Sequence, residues 1–422
     1  MTGLGRLDGR LPQFPIAVWL LALSNFVLFG ARGMTVPFLV IYFGQIVGLG
    51  EGVVGAGIAV NAVAGIALTL LLGGTIDRFG ARRVLLLTII GTAITTALHP
   101  WATTVGLFFL LMVLHGFVSQ LYWPASDALA TSLVPVSRAG EMFALLRVAN
   151  AIGIGAGGLI GGLIVTGGSL AAYRVLYLSA GLGIAAAAAM ILALVRPPEH
   201  PVASARDGQV SDARSGSWRE VLADRRFMLS QAVMFVLLCA FTQLQVSAPP
   251  YLRAEAGLSE AAIGLLFTIN TVVVVIGQIA VARRIADWRR GATLAVAAFF
   301  WIVAYALIGM SPWLGALPFV AIAVYTVGEM CFMPTSGVLV VELAPERLRG
   351  RYLAFSSVIW GGAWGLASWL AGVILGSERP VLLWPALIAI LLVGIVGALA
   401  LDRFTTEAPE APRAWSAPRA DD

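Results

Sequence analysis

The chain has 422 residues, of which 59% are hydrophobic and only 12% charged, about half the charged share of an average soluble domain (roughly 25%); a soluble fold of this size lacks the polar residues to cover it. The net charge is +5 and all 27 basic residues are arginine, so a lysine-dependent phosphate loop, and ATP-driven transport with it, is excluded. The two cysteines, Cys239 and Cys331, lie in apolar runs, which speaks against a disulfide framework or a cysteine metal site.

Read in chain order, all-round apolar stretches predict helices at 16–43, 52–75, 84–99, 105–132, 142–168 and 174–195. After a break they resume at 227–252, 260–282, 292–311, 315–342, 351–376 and 381–402. Each is close to the ~20 residues that cross a bilayer, and helices apolar on every side are buried in lipid or in a bundle. The first is too long for a signal peptide and lacks an Ala-x-Ala cleavage pattern. Residues 197–226 form the one long polar connection, opening with Pro197-Pro198; its part 217–226 reads as a short amphipathic helix on the membrane surface or as a tether. The expected organisation is therefore a first six-helix bundle (1–196), a cytoplasmic linker (197–226), a second bundle (227–403) and a disordered tail (404–422).

Arginine placement sets the expected orientation. With both termini inside, 22 arginines fall in inner segments, 3 (Arg174, Arg253 and Arg379) in outer loops, and 2 (Arg32 and Arg147) within helices. Both ends are thus expected in the cytoplasm, and the basic loops account for the high pI through anionic lipid rather than nucleic acid.

The halves repeat. A shift of 210 residues aligns Pro124 with Pro334, Ser126 with Ser336, Pro135 with Pro345, Gly140 with Gly350 and Gly162 with Gly372; one residue less aligns Gly55 with Gly264 and Asn61 with Asn270. Parallel six-helix repeats place a substrate site near the midplane between the halves.

The loop after the second helix reads Gly73-Gly74-Thr75-Ile76-Asp77-Arg78-Phe79-Gly80-Ala81-Arg82-Arg83. It resembles the signature loop of the major facilitator superfamily, with Ala81 where a basic residue is usual. The resemblance implies an all-α membrane protein of twelve spans in two pseudo-symmetric bundles, with this loop (Gly73, Asp77, Arg78, Gly80, Arg82, Arg83) latching the halves. Its second-half counterpart, Arg283 to Arg290, lacks the Asp and Gly positions, so any latch is asymmetric. The fifth helix carries Gly153, Gly157, Gly158, Gly161 and Gly162, similar to the antiporter signature of drug:proton exporters with Gly158 in place of a proline; close helix packing is the competing reading. Met112 stands where proton-coupled members usually carry an arginine before Gly116.

Charges inside the spans cost at least about 2.5 kcal/mol each and need a reason. Glu329, in the middle of the tenth helix, is the first candidate for proton coupling, followed by Asp127 and His115. Arg32, mid-span in the first helix, is expected in the central cavity, pairing with Glu329 or attracting an anionic group of the substrate. Asp127 and Arg147 read as gating partners, Asp127 against Arg78, Arg82 or Arg147. Asn25, Gln120, Tyr122, Trp123, Gln243, Gln245, Met330, Met333 and Trp360 are candidate substrate contacts in a mainly apolar cavity, which suits amphiphilic molecules.

The sequence thus predicts no enzyme and no cofactor. It predicts a monomeric secondary transporter of a bacterial inner membrane, whose partners are a small-molecule substrate, protons and the lipid bilayer. Proton-driven export of hydrophobic or amphiphilic compounds is the preferred reading; uptake of a narrow substrate, or a non-transporting scaffold or sensor, is the alternative.

Overall fold

The computed structural model describes residues 14–71, 78–135, 138–194 and 218–406. Among them are twelve helices long and apolar enough to cross a membrane. In the first half these are α1 (Ile16–Phe38), α2 (Glu51–Leu68), α3 (Ala81–Trp101), α4 (Val105–Ser132), α5 (Ala139–Ile164) and α6 (Leu170–Leu194). In the second they are α7 (Arg225–Val246), α8 (Glu260–Ile285), α9 (Arg290–Gly309), α10 (Leu317–Leu343), α11 (Arg349–Leu375) and α12 (Pro380–Arg403). Most of the expected linker and tail, and all of residues 1–13, lie outside the described residues.

Two of the helix breaks fall at prolines. A proline has no N–H to give the carbonyl four residues back. In α4, Pro124 leaves the Gln120 carbonyl without that bond, and the helix is interrupted by a turn at Gln120–Leu121 before Tyr122–Ser132. Pro249 and Pro250 act similarly beyond α7, where a turn at Ser247 precedes Ala248–Ala254. Pro334, the repeat partner of Pro124, sits inside a continuous α10.

The packing repeats like the sequence. In the first half α1 lies against α5 and α6, α2 against α4, and α3 against α4 and α6. In the second half α7 lies against α11 and α12, α8 against α10, and α9 against α10 and α12. Adding six to each label converts one set into the other, as a pseudo-twofold requires. The halves meet along α2–α11 and α5–α8, and the same operation exchanges these two contacts.

Glycine makes both contacts possible, because without Cβ atoms the backbones themselves can touch. A Cβ at Gly372 would collide with the Glu51 carbonyl and stand 3.1 Å from the Gly55 Cα. A Cβ at Gly162 would collide with the Glu260 carbonyl and stand 3.1 Å from the Ala261 Cα. Polar contacts gather at the same end. The Gln45 amide donates to the Pro250 carbonyl (3.1 Å), Arg253 donates to Gln45 Oε1 (3.1 Å), and Arg253 pairs with the buried Glu260 carboxylate at 2.9 Å. The end carrying the α1–α2 and α7–α8 loops is therefore closed.

The segment before α7, expected as a short surface helix or a tether, is helical in its described part and held by the second half. Residues Trp218–Ala223 are helical, but Val221 is buried in a cluster with Phe227, Leu348 and Tyr352 of the same chain. Arg347 pairs with Glu220. Asp224 caps α7, accepting the Arg226 and Phe227 amides at 3.1 Å, and takes the Tyr352 hydroxyl at 2.8 Å. The helix buries Val221 against protein and leaves Trp218 and Leu222 exposed. Arg225 and Arg226 belong to α7 and not to the linker.

Three glycine substitutions test these contacts and turns. Gly162→Val and Gly372→Val should each lower stability by about 2 kcal/mol, within the usual range for overpacking, seen as a lower melting temperature in detergent. In a Cys239→Ala, Cys331→Ala background each should also speed maleimide labelling of a Gln45→Cys reporter; unchanged melting and labelling would show that these crossings do not hold the end shut. Gly80, at φ +84° with open space around its Cβ position, should lose about 1 kcal/mol on replacement by alanine from backbone strain alone. An unchanged melting point for Gly80→Ala would remove that requirement.

Candidate functional site

A cavity of about 390 Å³ lies beside the α1–α4 contact, within the usual size range for small-molecule pockets. Its polar wall comes almost wholly from the first half: Arg32 of α1, Asn61 of α2, Thr92, Thr96 and His99 of α3, and His115 and Ser119 of α4. The second half contributes Gln245 and the apolar Val246, Phe267 and Trp364. Most of the exposed lining is apolar.

The wall is held by bonds behind it. Asn61 donates to the Met112 carbonyl at 2.9 Å, tying α2 to α4. His99 donates from Nδ1 to the Thr95 carbonyl at 2.7 Å, and its ring stacks on Tyr177 with centroids 5.1 Å apart. His115 Nδ1 shares a 2.9 Å hydrogen bond with the Thr95 hydroxyl, and its ring meets His99 edge-on at 5.6 Å. The Arg32 guanidinium lies over Phe29 and Tyr122, 5.5 and 5.4 Å from their ring centres.

Glu329 stands elsewhere. It lies between α10 and α8, where Asn270 spends one amide hydrogen on Glu329 Oε2 (2.7 Å) and the other on Thr326 Oγ1 (2.9 Å). Thr326 in turn donates to the Ile322 carbonyl at 2.6 Å, which fixes the direction of the chain. Glu329 Oε1 has no partner among the described residues. The expected Arg32–Glu329 ion pair is therefore corrected: the arginine belongs to the first-half cavity, and the carboxylate is held by an asparagine of its own half. The repeat explains the placement, because Asn270 is the partner of Asn61 and both reach from α2 or α8 to the next cavity-side helix. Next to Glu329, Gly328 lets the fully buried Trp301 indole lie against α10, donating to the Tyr325 carbonyl at 3.2 Å.

Of the expected substrate contacts, Trp123 and Gln245 reach the cavity wall, as do Arg32 and His115. The others lie away from this cavity. Asn25 is buried and accepts from Tyr122 at 3.1 Å. Gln243 is spent on the Cys239 carbonyl at 2.8 Å and on Ser247. Gln120 packs over Gly65, and Met330 over Gly277. Met333 and Trp360 pack on the second-half core. Sequence reasoning missed His99, which sits at the predicted end of a span beside Pro100. It also missed the Gln45–Arg253–Glu260 group. The available signals were weak: a histidine in a chain holding only three, and an acid at the first turn of α8.

Within the gating loop Gly73 and Asp77 lie outside the described residues. Arg82 donates to the Leu192 and Ile191 carbonyls at 2.5 and 3.4 Å, capping α6. Arg78 stacks over Phe79 at 5.4 Å, and Arg83 is exposed. Asp127 and Arg147 are both exposed. The counterpart in the second half is built differently: Asp402 of α12 accepts the Gly291 and Ala292 amides at 2.8 and 2.9 Å at the start of α9. The five glycines of α5 divide between two faces. Gly153, Gly157 and Gly161 meet the α1 backbone, whereas Gly158 and Gly162 meet α8. At Gly158 even a Cβ would come within 2.9 Å of the Phe267 Cβ, so a proline has no room there.

Comparison with known proteins agrees with this architecture. The sequence profile described as Major Facilitator Superfamily matches residues 21–368 and, in an overlapping match, 233–421. A Na(+), Li(+), K(+)/H(+) antiporter of Planococcus maritimus is 26% identical over 356 residues, covering 77% of this chain and 81% of its own. Multidrug resistance protein MdtH of Klebsiella pneumoniae (strain 342) is 28% identical over 396 residues, 90% of each chain. Among solved structures, a D-xylose-proton symporter has a TM-score of 0.74 at 16% identity, covering 92% of this chain and 97% of its own. A bacterial homologue of the human lysosomal transporter Spinster, in an inward-facing and unoccupied conformation, has a TM-score of 0.74 at 14% identity, with 94% and 98% covered. At such identities the structural likeness concerns the fold alone. The profile match spans most of the sequence, and with its twelve spans in two related halves the chain belongs to the major facilitator superfamily.

Proposed function

We propose that the protein is a proton-coupled exporter of hydrophobic or amphiphilic small molecules, working by alternating access in a bacterial inner membrane. The arginine distribution puts both termini in the cytoplasm. The closed end then faces outward, and the cavity belongs to an inward-facing state. The cavity takes the compound, and Glu329 takes the proton.

The observation that carries the reading is the Glu329 setting. A carboxyl group within a membrane-spanning helix is costly. This one is oriented by Asn270 at Oε2 and keeps Oε1 free for a proton, which is what a reversible proton carrier requires. Support for export comes from the MdtH relatives, which are named for drug resistance. Exchange of alkali cations, named for the Planococcus relative, fits less well, because Arg32 and no carboxylate lines the cavity.

The test is efflux of one lipophilic cationic and one anionic dye from energised cells, with and without a protonophore. Glu329→Gln keeps the shape and the Asn270 contact but cannot carry a proton. It should lower protonophore-sensitive efflux by roughly tenfold or more, the usual contribution of a positioned proton-transfer group, while dye exchange across proteoliposomes without a gradient persists. Full efflux by Glu329→Gln would move the coupling site to Asp127 or His115. Accumulation of dye by wild type in place of extrusion would replace export with uptake.

A further inference from the structure

The cavity carries charge of one sign. Arg32 is its one permanently charged residue, because a guanidinium stays protonated. Among the described residues no carboxylate lines the cavity, and the Arg32 guanidinium has no hydrogen bond or ion pair to any of them; it lies over the faces of Phe29 and Tyr122. Of the other ionisable lining residues, His99 and His115 are neutral or positive, and Tyr177 is a phenol, neutral at physiological pH. Both histidines use Nδ1 in bonds to Thr95, and neither Nε2 has a partner among the described residues. An arginine this far into a membrane protein is normally compensated by an acid. Glu329, which the sequence offers for that purpose, is held by Asn270.

The rest of the lining includes aromatic residues. Trp123 lies beside Phe29, ring centres 5.5 Å apart, and Phe267 and Trp364 close the cavity from the second half. A ligand that satisfies both walls has one anionic group and a flat apolar body.

We propose that the cavity is a binding site for amphiphilic organic anions, with the acid group on Arg32 and the hydrophobic body against Trp123, Phe267 and Trp364. This names the substrate class within the transport reading above and rests on that reading for its physiological meaning. Binding itself needs neither export nor proton coupling. Arg32 supplies two parallel donors to a carboxylate or sulfonate, and the surrounding rings stabilise the guanidinium while the site is empty.

The experiment measures equilibrium binding to the purified full-length protein in lipid nanodiscs, where there is no gradient. Three probes share one body and differ in charge: 2-naphthoate, 2-naphthalenemethanol and 2-naphthylmethylammonium. Wild type should bind the naphthoate at least about tenfold more tightly than the alcohol, the scale of one charge-assisted hydrogen bond, and the ammonium least. Arg32→Gln should bring naphthoate down to the alcohol, and Arg32→Lys should keep part of the preference. Equal binding of the three probes by wild type, preference for the ammonium, or no binding of any probe overturns the proposal. So does an Arg32→Gln protein that keeps the preference. Because the probe series on wild type decides alone, misfolding of a variant leaves the test intact. Loss of the naphthoate preference with proton-driven dye efflux intact would reject the anion site and keep the export reading; the reverse result would do the opposite.

Discussion

Backbone-to-backbone contact across glycine is the constraint on which the arrangement of the two halves depends. In a bilayer there is little hydrophobic gain in bringing apolar helices together, so association rests on close van der Waals approach. Gly55 with Gly372, and Gly264 with Gly158 beside Gly162 with Glu260, supply that approach at two symmetry-related crossings. Glu51 and Glu260, each at the start of its helix, offer carbonyls to the opposite glycine. The other inter-half bonds follow from this spacing: Thr271 to the Ala151 carbonyl at 3.1 Å, Thr268 to the Gly155 carbonyl at 2.9 Å, and the Gln45 group at the closed end. Larger residues at the crossings would move all of these donors out of reach.

The same contacts join the two functional centres. Asn270, which holds Glu329, precedes Thr271, which bonds to α5. On its other face α5 packs through Gly153 and Gly157 against Phe26 and Gly30 of α1, one turn from Arg32. A change at the Glu329 carboxyl is thus separated from the cavity wall by one asparagine, one helix crossing and one glycine seam. Such a path transmits displacement when its elements have discrete alternative packings, and under the proposed alternating access, rocking of one half on the other would supply them.

Much of the fold was legible in the sequence because a bilayer leaves few choices. Every span must be a closed hydrogen-bonded element, so apolar length alone located all twelve. The repeat of Gly55 with Gly264 and Gly162 with Gly372 looked cheap in a glycine-rich chain, yet those four residues make the inter-half crossings. The site was less legible. Which face of a span meets the cavity depends on helix rotation and on the breaks at Gln120–Leu121 and Ser247. Asn25 and Gln243 are consequently turned into the bundle, while His99, near a helix end, is turned to the cavity. The Arg32–Glu329 pairing failed for a related reason. Opposite charges in apolar sequence invite pairing, but Asn270, a neutral amide on an adjacent helix, reached the carboxylate first.

Trp301 gives the Glu329 region a property of another kind. Its indole is fully buried, anchored to the Tyr325 carbonyl, and pressed against Gly328 immediately before the acid. An indole in a rigid, dry setting reports the local electric field in its emission colour, and gain or loss of a proton on the next residue changes that field by a full unit charge. Trp301 thus places a natural fluorophore against the backbone one residue from Glu329, where a change of charge on that carboxyl would be read without a label.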